Sequence, residues 1–462
     1  MNSARILLII SICLFLPAFV RADDVDKFVR AQIAERHIPG AAVAIVKGGK
    51  IVKTKGYGLA SVEFNVAATE KTVFEIGSVS KQITAAAIML LVEDGKLELD
   101  EKISKYLANT PDEWKEVTVR HLLTHTSGIK SYTNIGGFEL SKRYKLADFL
   151  KELTKYPLEF EPGSEYKYNN SGYSLLGYIV ESASGKTYWE FLRARIFGPL
   201  KMDLTADRDP QFIIKNRATG YEWDGTKLVG RDYELTDLFS AGAIVSTVED
   251  MAKWDIAMRG ESFLKHSSKA EMGKPFKLTD GKENPYGFGW NVGELRGQNL
   301  LSHGGQTAGF TANISRFTDA DLDIIVLTNL GTQGGGSAIA RGIAKIYIPS
   351  ISLNAMKVLP DSDPKISKMI ETALNEVLQN KLNPEYLSES LIKTLSSDHA
   401  KSEISRIASF GKISKLDLVA VEELGGKQTF RFLAKTNPRF FLWKIVLDAD
   451  GKIAEMTLEE EE

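Results

Sequence analysis

The chain has 462 residues, more than one ordinary hydrophobic core organises and enough for two or three domains. Hydrophobic residues make up 43% and charged residues 26%, a globular balance that gives no ground for wholesale disorder. The formal net charge of -2 removes the electrostatic case for nucleic acid or an anionic membrane surface as partner.

Arg5 precedes an apolar run from Ile6 to Val20, and Val20-Arg21-Ala22 sets small residues at the spacing of a cleavage site. Residues 1–22 therefore read as a secretory signal peptide, and the mature chain as secreted or periplasmic. The run is shorter than the ~20 residues that cross a bilayer, so no stable membrane span is expected once the signal is gone. Cys13, the only cysteine, lies inside the signal, which leaves the mature chain without disulfides, a cysteine nucleophile or thiolate metal ligands.

Val25, Phe28, Val29 and Ile33 share one helical face, and the helix stops before Pro39-Gly40. Ala41 to Val46 and Lys50 to Lys55 then read as a hairpin around Gly48-Gly49. The stretch Ser78 to Glu93 reads as a helix, apolar nearly all round from Ile83 to Val92 and ended by Gly95, the pattern of a helix buried at a domain centre. Residues 100–264 look mainly helical, with a helix expected over Ser174 to Ala183. Strand signals return near Gly287 to Asn291, Asn299 to His303, Thr311 to Phe317 and Leu322 to Asn329, followed by a closing helix from Ala338 to Ile348. Strands at both ends and helices between predict an α+β fold, with one antiparallel sheet flanked by helices and a helical lobe inserted, over residues 23–350. Residues 351–364 read as a linker, and 365–462 as a small α+β module with an amphipathic helix from Ile366 to Val377 and four strands from Lys415 onward.

Ser78 and Lys81 lie three apart, on one face of a helix start, where free N–H groups favour developing negative charge. A serine hydroxyl needs a base before it is a nucleophile, and a lysine one turn on can serve. Alone, the pair reads equally well as an N-cap and a solvated lysine. Gly77 before it and the apolar helix after it favour chemistry. Tyr168-Asn169-Asn170 stands in a polar loop and by itself reads as a turn with an aromatic plug; His303-Gly304-Gly305 ends a strand where a ligand can approach the backbone, and by itself reads as an ordinary strand-terminating turn. His121 and His125 have a metal-ligand spacing, but Thr126-Ser127-Gly128 breaks any helix there and no third ligand is evident, so no metal and no cofactor are expected. Gly334-Gly335-Gly336 reads as a flexible loop.

In this order the three motifs resemble the serine β-lactamase and penicillin-binding-protein superfamily, in the branch of class C β-lactamases, D-aminopeptidases, DD-carboxypeptidase-like proteins and serine esterases. Phe74 to Ser78, Val119 to Ile129, Ala241-Gly242-Ala243 and Tyr286 to Trp290 add to the likeness, which spans about residues 25–345. The resemblance implies Ser78 as the acylated nucleophile, Lys81 and Tyr168 as a proton-transfer pair, and Asn170, His303 and Gly305 as substrate-binding residues. The N–H groups of Ser78 and Gln306 would stabilise the oxyanion. Neither a free lysine, titrating near ~10.4, nor a free tyrosine, near ~10, is a base at neutral pH, so the base is assigned to the coupled pair. His303 stands where β-lactamases usually carry lysine. That weakens an anion site and favours peptidase or esterase chemistry over β-lactam hydrolysis.

The expected function is a serine hydrolase forming an acyl-enzyme with an amide or ester: a D-amino-acid peptide, a β-lactam or a small ester. The alternative is a non-catalytic penicillin-binding-like sensor or scaffold. The partner is a small-molecule or peptide substrate. The C-terminal module resembles cystatin-like or nuclear-transport-factor-like folds; covering the site, binding a partner and packing passively are open to it, and packing or formation of a homo-oligomer is the role expected.

Overall fold

The computed structural model describes residues 22–231, 238–332, 334–361, 363–424, 427–436 and 440–460. The leader lies, but for its last residue, outside the described residues.

Helix α1 (Ala22–Glu35) precedes β1 (Gly40–Lys47), β2 (Lys50–Ser61) and the short β3 (Val66–Ala67). A 3-10 turn, Gly77–Val79, opens α2 (Ser80–Glu93). The inserted lobe contains α3 (Asn170–Ser184) and α4 (Val248–Arg259) among shorter helices. The chain then returns through β4 (Asn291–Leu295), β5 (Gln298–Thr307), β6 (Phe310–Phe317) and β7 (Leu322–Thr328) to α5 (Gly336–Tyr347). These strands form one seven-stranded sheet in the order β4-β5-β6-β7-β1-β2-β3, so strands from the two ends meet where β7 pairs antiparallel with β1. That closure is the expected architecture, and it traps the lobe as an insertion.

Two layers sandwich the sheet. On one face Val25 and Val29 of α1 join Ile339 and Ile343 of α5 over Val43, Ile45, Ile324 and Val326. On the other, Ala42, Ala44 and Ile325 share a core with α2 and the lobe. Every side chain of α2 from Ser80 to Leu91 is buried, as its all-round apolar pattern predicts. Ile83, Ile88 and Leu91 are each fully enclosed, worth roughly 1.5–3 kcal/mol apiece.

Local chemistry moved several boundaries. The expected helix from Ser78 begins as a 3-10 turn and becomes α-helical at Ser80, because Gly77 holds a left-handed φ of +51° that no α-helix continues. Helix α3 starts at Asn170, four residues before the predicted Ser174, because the Asn169 side chain caps it by accepting from Gly172 N at 2.8 Å. The strand expected over 287–291 is a turn, closed by Gly287 N donating to Trp290 O at 2.8 Å, and the strand begins at Asn291. The lobe is less helical than expected, with short strands such as Tyr221–Trp223 and Ile244–Ser246.

The C-terminal module has α6 (Pro364–Val377), two further helices over Glu389–Leu395 and Asp398–Ala408 that the sequence reading lacked, and an antiparallel sheet β8 (Lys415–Leu424), β9 (Lys427–Lys435), β10 (Phe440–Leu447) and β11 (Ile453–Glu460). One sheet face packs on α6 through Phe432, Trp443 and Ile370. The other presents Val419, Leu433 and Leu442 to Leu353, so the start of the segment read as a linker is 3-10 turns with a buried anchor. Asp363 caps α6, accepting from Lys365 N and Ile366 N.

Candidate active site

Burial of Lys81 organises the site. Helix α2 runs through the core, so the Lys81 side chain is fully enclosed, and its charge would be paid for in desolvation. Its Nζ has three neighbours: Ser78 Oγ at 3.0 Å, Asn170 Oδ1 at 2.8 Å and the Ala241 carbonyl at 2.8 Å. Burial drives the Lys81 pKa well below its ordinary value. A neutral amine has two N–H bonds and one lone pair. Asn170 Oδ1 and Ala241 O are acceptors and take the two hydrogens, which leaves the lone pair for the Ser78 hydroxyl proton.

Tyr168 completes the group. Its hydroxyl neighbours Ser78, and Lys81 Nζ sits 4.9 Å from the centre of its ring. Burial pushes the Tyr168 pKa up. The two groups therefore move apart, a direction that favours a neutral amine with a neutral phenol over an ammonium with a phenolate. Two effects compete in the coupled pair, burial lowering Lys81 and a charged Lys81 lowering Tyr168, and both shifts here follow burial.

Gly77 and Gly305 bring the strand against the helix start. A Cβ on Gly305 would lie 2.0 Å from Ile76 O, and one on Gly77 would lie 2.6 Å from Gln306 N. In the β5–β6 hairpin Thr307 pairs with Phe310 across a two-residue loop. The ladder's alternation then turns the Gln306 N–H away from β6, toward Gly77 and Ser78. The Ser78 and Gln306 amides thus flank one opening. Strand β4 pairs with β5 only as far as Ser302, so residues 303–307 keep a free edge.

His303 is buried between two fixed partners. Its Nδ1 lies 2.7 Å from Gly304 O, which only accepts, so Nδ1 carries the proton. Its Nε2 then accepts from Tyr286 Oη at 2.8 Å. Burial and, next, the neighbouring Lys81 push its pKa down to about 3. His303 is a neutral wall with both nitrogens used. Asn170 also has protein partners at both ends of its amide, since Nδ2 donates to Thr133 Oγ1 at 3.3 Å.

The opening is a cleft of about 440 Å³ lined by Ser78, Tyr168, His303, Gly305 and Gln306, with Gly335, Gly336 and Ser337 opposite. None of its lining residues is charged. The glycine run read as a flexible loop thus forms one wall and opens α5. His121 and His125 each accept a backbone N–H at Nδ1, from Thr118 and Asn169. The sequence reading gave no role to Ala241, Tyr286 or Thr133. Ala241 and Tyr286 lie in quoted stretches, but a backbone carbonyl has no residue signature and a tyrosine pairs with a distant histidine only once folded.

A family model described as Beta-lactamase matches residues 25–347, and the chain belongs to that family. Among curated relatives, Protein flp of Staphylococcus aureus (strain MW2) is 30% identical over 324 residues, covering 67% of this chain and 63% of its own length. The chain thus spans less than two thirds of that relative. Penicillin-binding protein 4* of Bacillus subtilis (strain 168) is 30% identical over 319 residues, 64% of this chain and 69% of that one. Among solved structures, a D-amino acid amidase from Ochrobactrum anthropi SV3 complexed with D-phenylalanine is similar at TM-score 0.61 and 25% identity, over 71% of this chain and 99% of that one. An octameric penicillin-binding protein homologue from Pyrococcus abyssi shares the fold at TM-score 0.63 and 24% identity over 95% of this chain and 98% of that one, C-terminal module included.

Proposed function

We propose that the protein is a secreted serine hydrolase that cleaves an amide or ester bond through an acyl-enzyme on Ser78. The observation that carries this reading is the Lys81 amine, enclosed, held by two acceptors and 3.0 Å from Ser78 Oγ. In the first half-reaction Ser78 Oγ attacks the substrate carbonyl and its proton passes to Lys81. The oxyanion is met by the Ser78 and Gln306 N–H groups. Tyr168 gives its proton to the leaving nitrogen or oxygen as the bond to carbon breaks, and is reprotonated from Lys81. Water then attacks the ester carbonyl, yields a proton to the same pair, and Ser78 Oγ leaves protonated.

The substrate favoured is one neutral at the scissile end: an amide, a peptide of D-amino acids or a small ester. The uncharged cleft and the neutral His303 support this, since a free carboxylate there would meet no cation. The free edge at residues 303–307 fits an extended backbone laid along it. The amidase likeness points the same way. The apolar leader supports secretion, and the fold shared with an octameric homologue through the C-terminal module supports assembly of several copies.

The test is covalent labelling with a fluorophosphonate followed by peptide mapping. The adduct is expected on Ser78 and absent from Ser78→Ala. A wild-type protein that stays unlabelled where a control hydrolase reacts would refute the reading.

A further inference from the structure

His125 takes no part in the steps above, yet it bonds the backbone on both sides of Tyr168 and lies against its ring. It is buried, with 1% of its surface exposed, and holds a left-handed φ of +59°, uncommon outside glycine although histidine is among the residues that tolerate it best. Such a backbone is kept only where its surroundings hold it. Here they are the two peptide groups beside Tyr168. The His125 carbonyl accepts from Lys167 N at 2.9 Å, and its ring Nδ1 accepts from Asn169 N at 3.0 Å. One residue thus binds the N–H on each side of Tyr168, while its ring lies 4.3 Å from the Tyr168 ring, centroid to centroid.

The ring's own proton follows from these contacts. Nδ1 accepts, so Nε2 carries the hydrogen. That N–H is buried and finds no hydrogen-bond partner among the described residues. Its surroundings are aromatic: Tyr286 at 4.5 Å and Tyr173 at 5.1 Å, with Tyr166 beyond at 6.2 Å. An N–H among π faces is a weak donor that tolerates no second charge nearby. Burial, then Lys81 and His303, hold the His125 pKa far down, so the ring stays neutral beside the amine.

We propose that His125 is a positioning residue for the proton-donating step: it fixes the Tyr168 phenol against Ser78 by clamping the backbone on both sides of it. The proposal rests on the reading of Ser78 as nucleophile and Tyr168 as proton donor. It says which half of the chemistry His125 serves. Attack by Ser78 needs Lys81, whose hydrogen-bond partners are Ser78, Asn170 and the Ala241 carbonyl. Departure of a poor leaving group needs Tyr168 in register.

The discriminating experiment varies the leaving group under one acyl group. p-Nitrophenyl acetate releases a phenolate that needs little protonation, whereas phenyl acetate benefits from an acid. The variants are His125→Leu, which loses the Nδ1 acceptor, and His125→Asn, whose Oδ1 keeps an acceptor near that place and whose backbone tolerates the positive φ. In His125→Leu, kcat/KM for phenyl acetate should fall about 100-fold, and for p-nitrophenyl acetate no more than about fivefold. His125→Asn should recover at least about tenfold of the phenyl acetate loss. Far-UV circular dichroism and melting temperature establish that each variant is folded. If His125→Leu does not fold, His125→Asn alone decides: it should still lose more on phenyl acetate than on p-nitrophenyl acetate. Equal losses on both esters, or none, in the folded variants overturn the proposal while leaving Ser78-dependent turnover, and hence the proposed function, intact. Turnover that survives Ser78→Ala would instead overturn that function, and this proposal with it.

Discussion

Tyr286 Oη donates to His303 Nε2 at 2.8 Å, and this one bond decides what the candidate cleft can offer a substrate. With Nδ1 committed to Gly304 O, the imidazole has no N–H and no charge left for a ligand. The same wall would become cationic if a lysine replaced the histidine.

His303→Lys should therefore shift preference toward substrates with a carboxylate. The acylation rate with benzylpenicillin, relative to p-nitrophenyl acetate, is expected to rise about tenfold, the worth of one modest charge contact of roughly 1.4 kcal/mol. Stopped-flow acylation with both reagents measures it. An unchanged or lowered ratio would remove His303 as the determinant of charge preference.

A second expectation concerns one proton with two readouts. Burial lowers the Lys81 pKa in the folded chain, whereas the unfolded chain carries an ordinary lysine, charged up to about pH 10.4. In the window between its lowered folded pKa and that value the unfolded chain binds more protons, so stability rises with pH. Relative to Lys81→Met, wild-type stability should gain up to about 1.4 kcal/mol per pH unit inside that window. Acylation should be lost as pH falls through the folded pKa, because the base becomes protonated. Urea titrations at several pH values, paired with the pH dependence of kcat/KM, check both. A flat stability difference between the two proteins would mean that Lys81 is charged when folded.

The parts of this site that are legible in the sequence are those whose chemistry is local. Ser78 and Lys81 sit one turn apart, so spacing alone puts them together. Tyr168 and His303 become part of the same site only through the motif order that the family shares. What could not be read is what the fold supplies: the Ala241 carbonyl on Lys81, the Tyr286 hydroxyl on His303, and the Thr118 and Asn169 amides that occupy His121 and His125. The fold follows the same division. The β1–β2 hairpin and α2 follow from turn residues and apolar pattern. The start of α3 depends on a side-chain cap, and the strand after Trp290 depends on a turn that looks like more strand.

Away from the cleft, α4 is tied to the sheet by buried charges. Asp255 Oδ1 lies 2.5 Å from Arg316 Nη2, and Arg259 Nε lies 2.5 Å from Asp323 Oδ2, with both carboxylates fully enclosed. Arg316 also stacks 5.1 Å from the Trp290 ring. Removing Asp255 leaves the buried Arg316 only the longer pairing of its Nε with Asp323 Oδ1 at 3.5 Å. Asp255→Ala should cost about 3–5 kcal/mol of unfolding free energy, read by urea denaturation. The folded fraction should keep wild-type Ser78 labelling. A cost below about 1 kcal/mol would mean that water or a neighbour replaces the pairing.

The C-terminal module gives the last expectation. It is joined to the sheet domain by Arg296, which bonds the Ile351 carbonyl and lies 2.6 Å from Glu459 Oε1, and by Leu353 under Val419, Leu433 and Leu442. None of these contacts reaches the cleft that holds Ser78. The residues proposed as catalytic and their hydrogen-bond partners all lie within residues 78–306. A chain ending at Pro360 should therefore retain Ser78 labelling within about twofold, since only loss of supporting packing acts on the site. It should also sediment as a smaller species than the full-length protein if the module carries self-association. Light scattering gives the mass and fluorophosphonate labelling gives the rate. A truncated chain that keeps the full-length protein's number of copies would place self-association in the sheet domain. One that folds but loses labelling would make the module part of the catalytic apparatus.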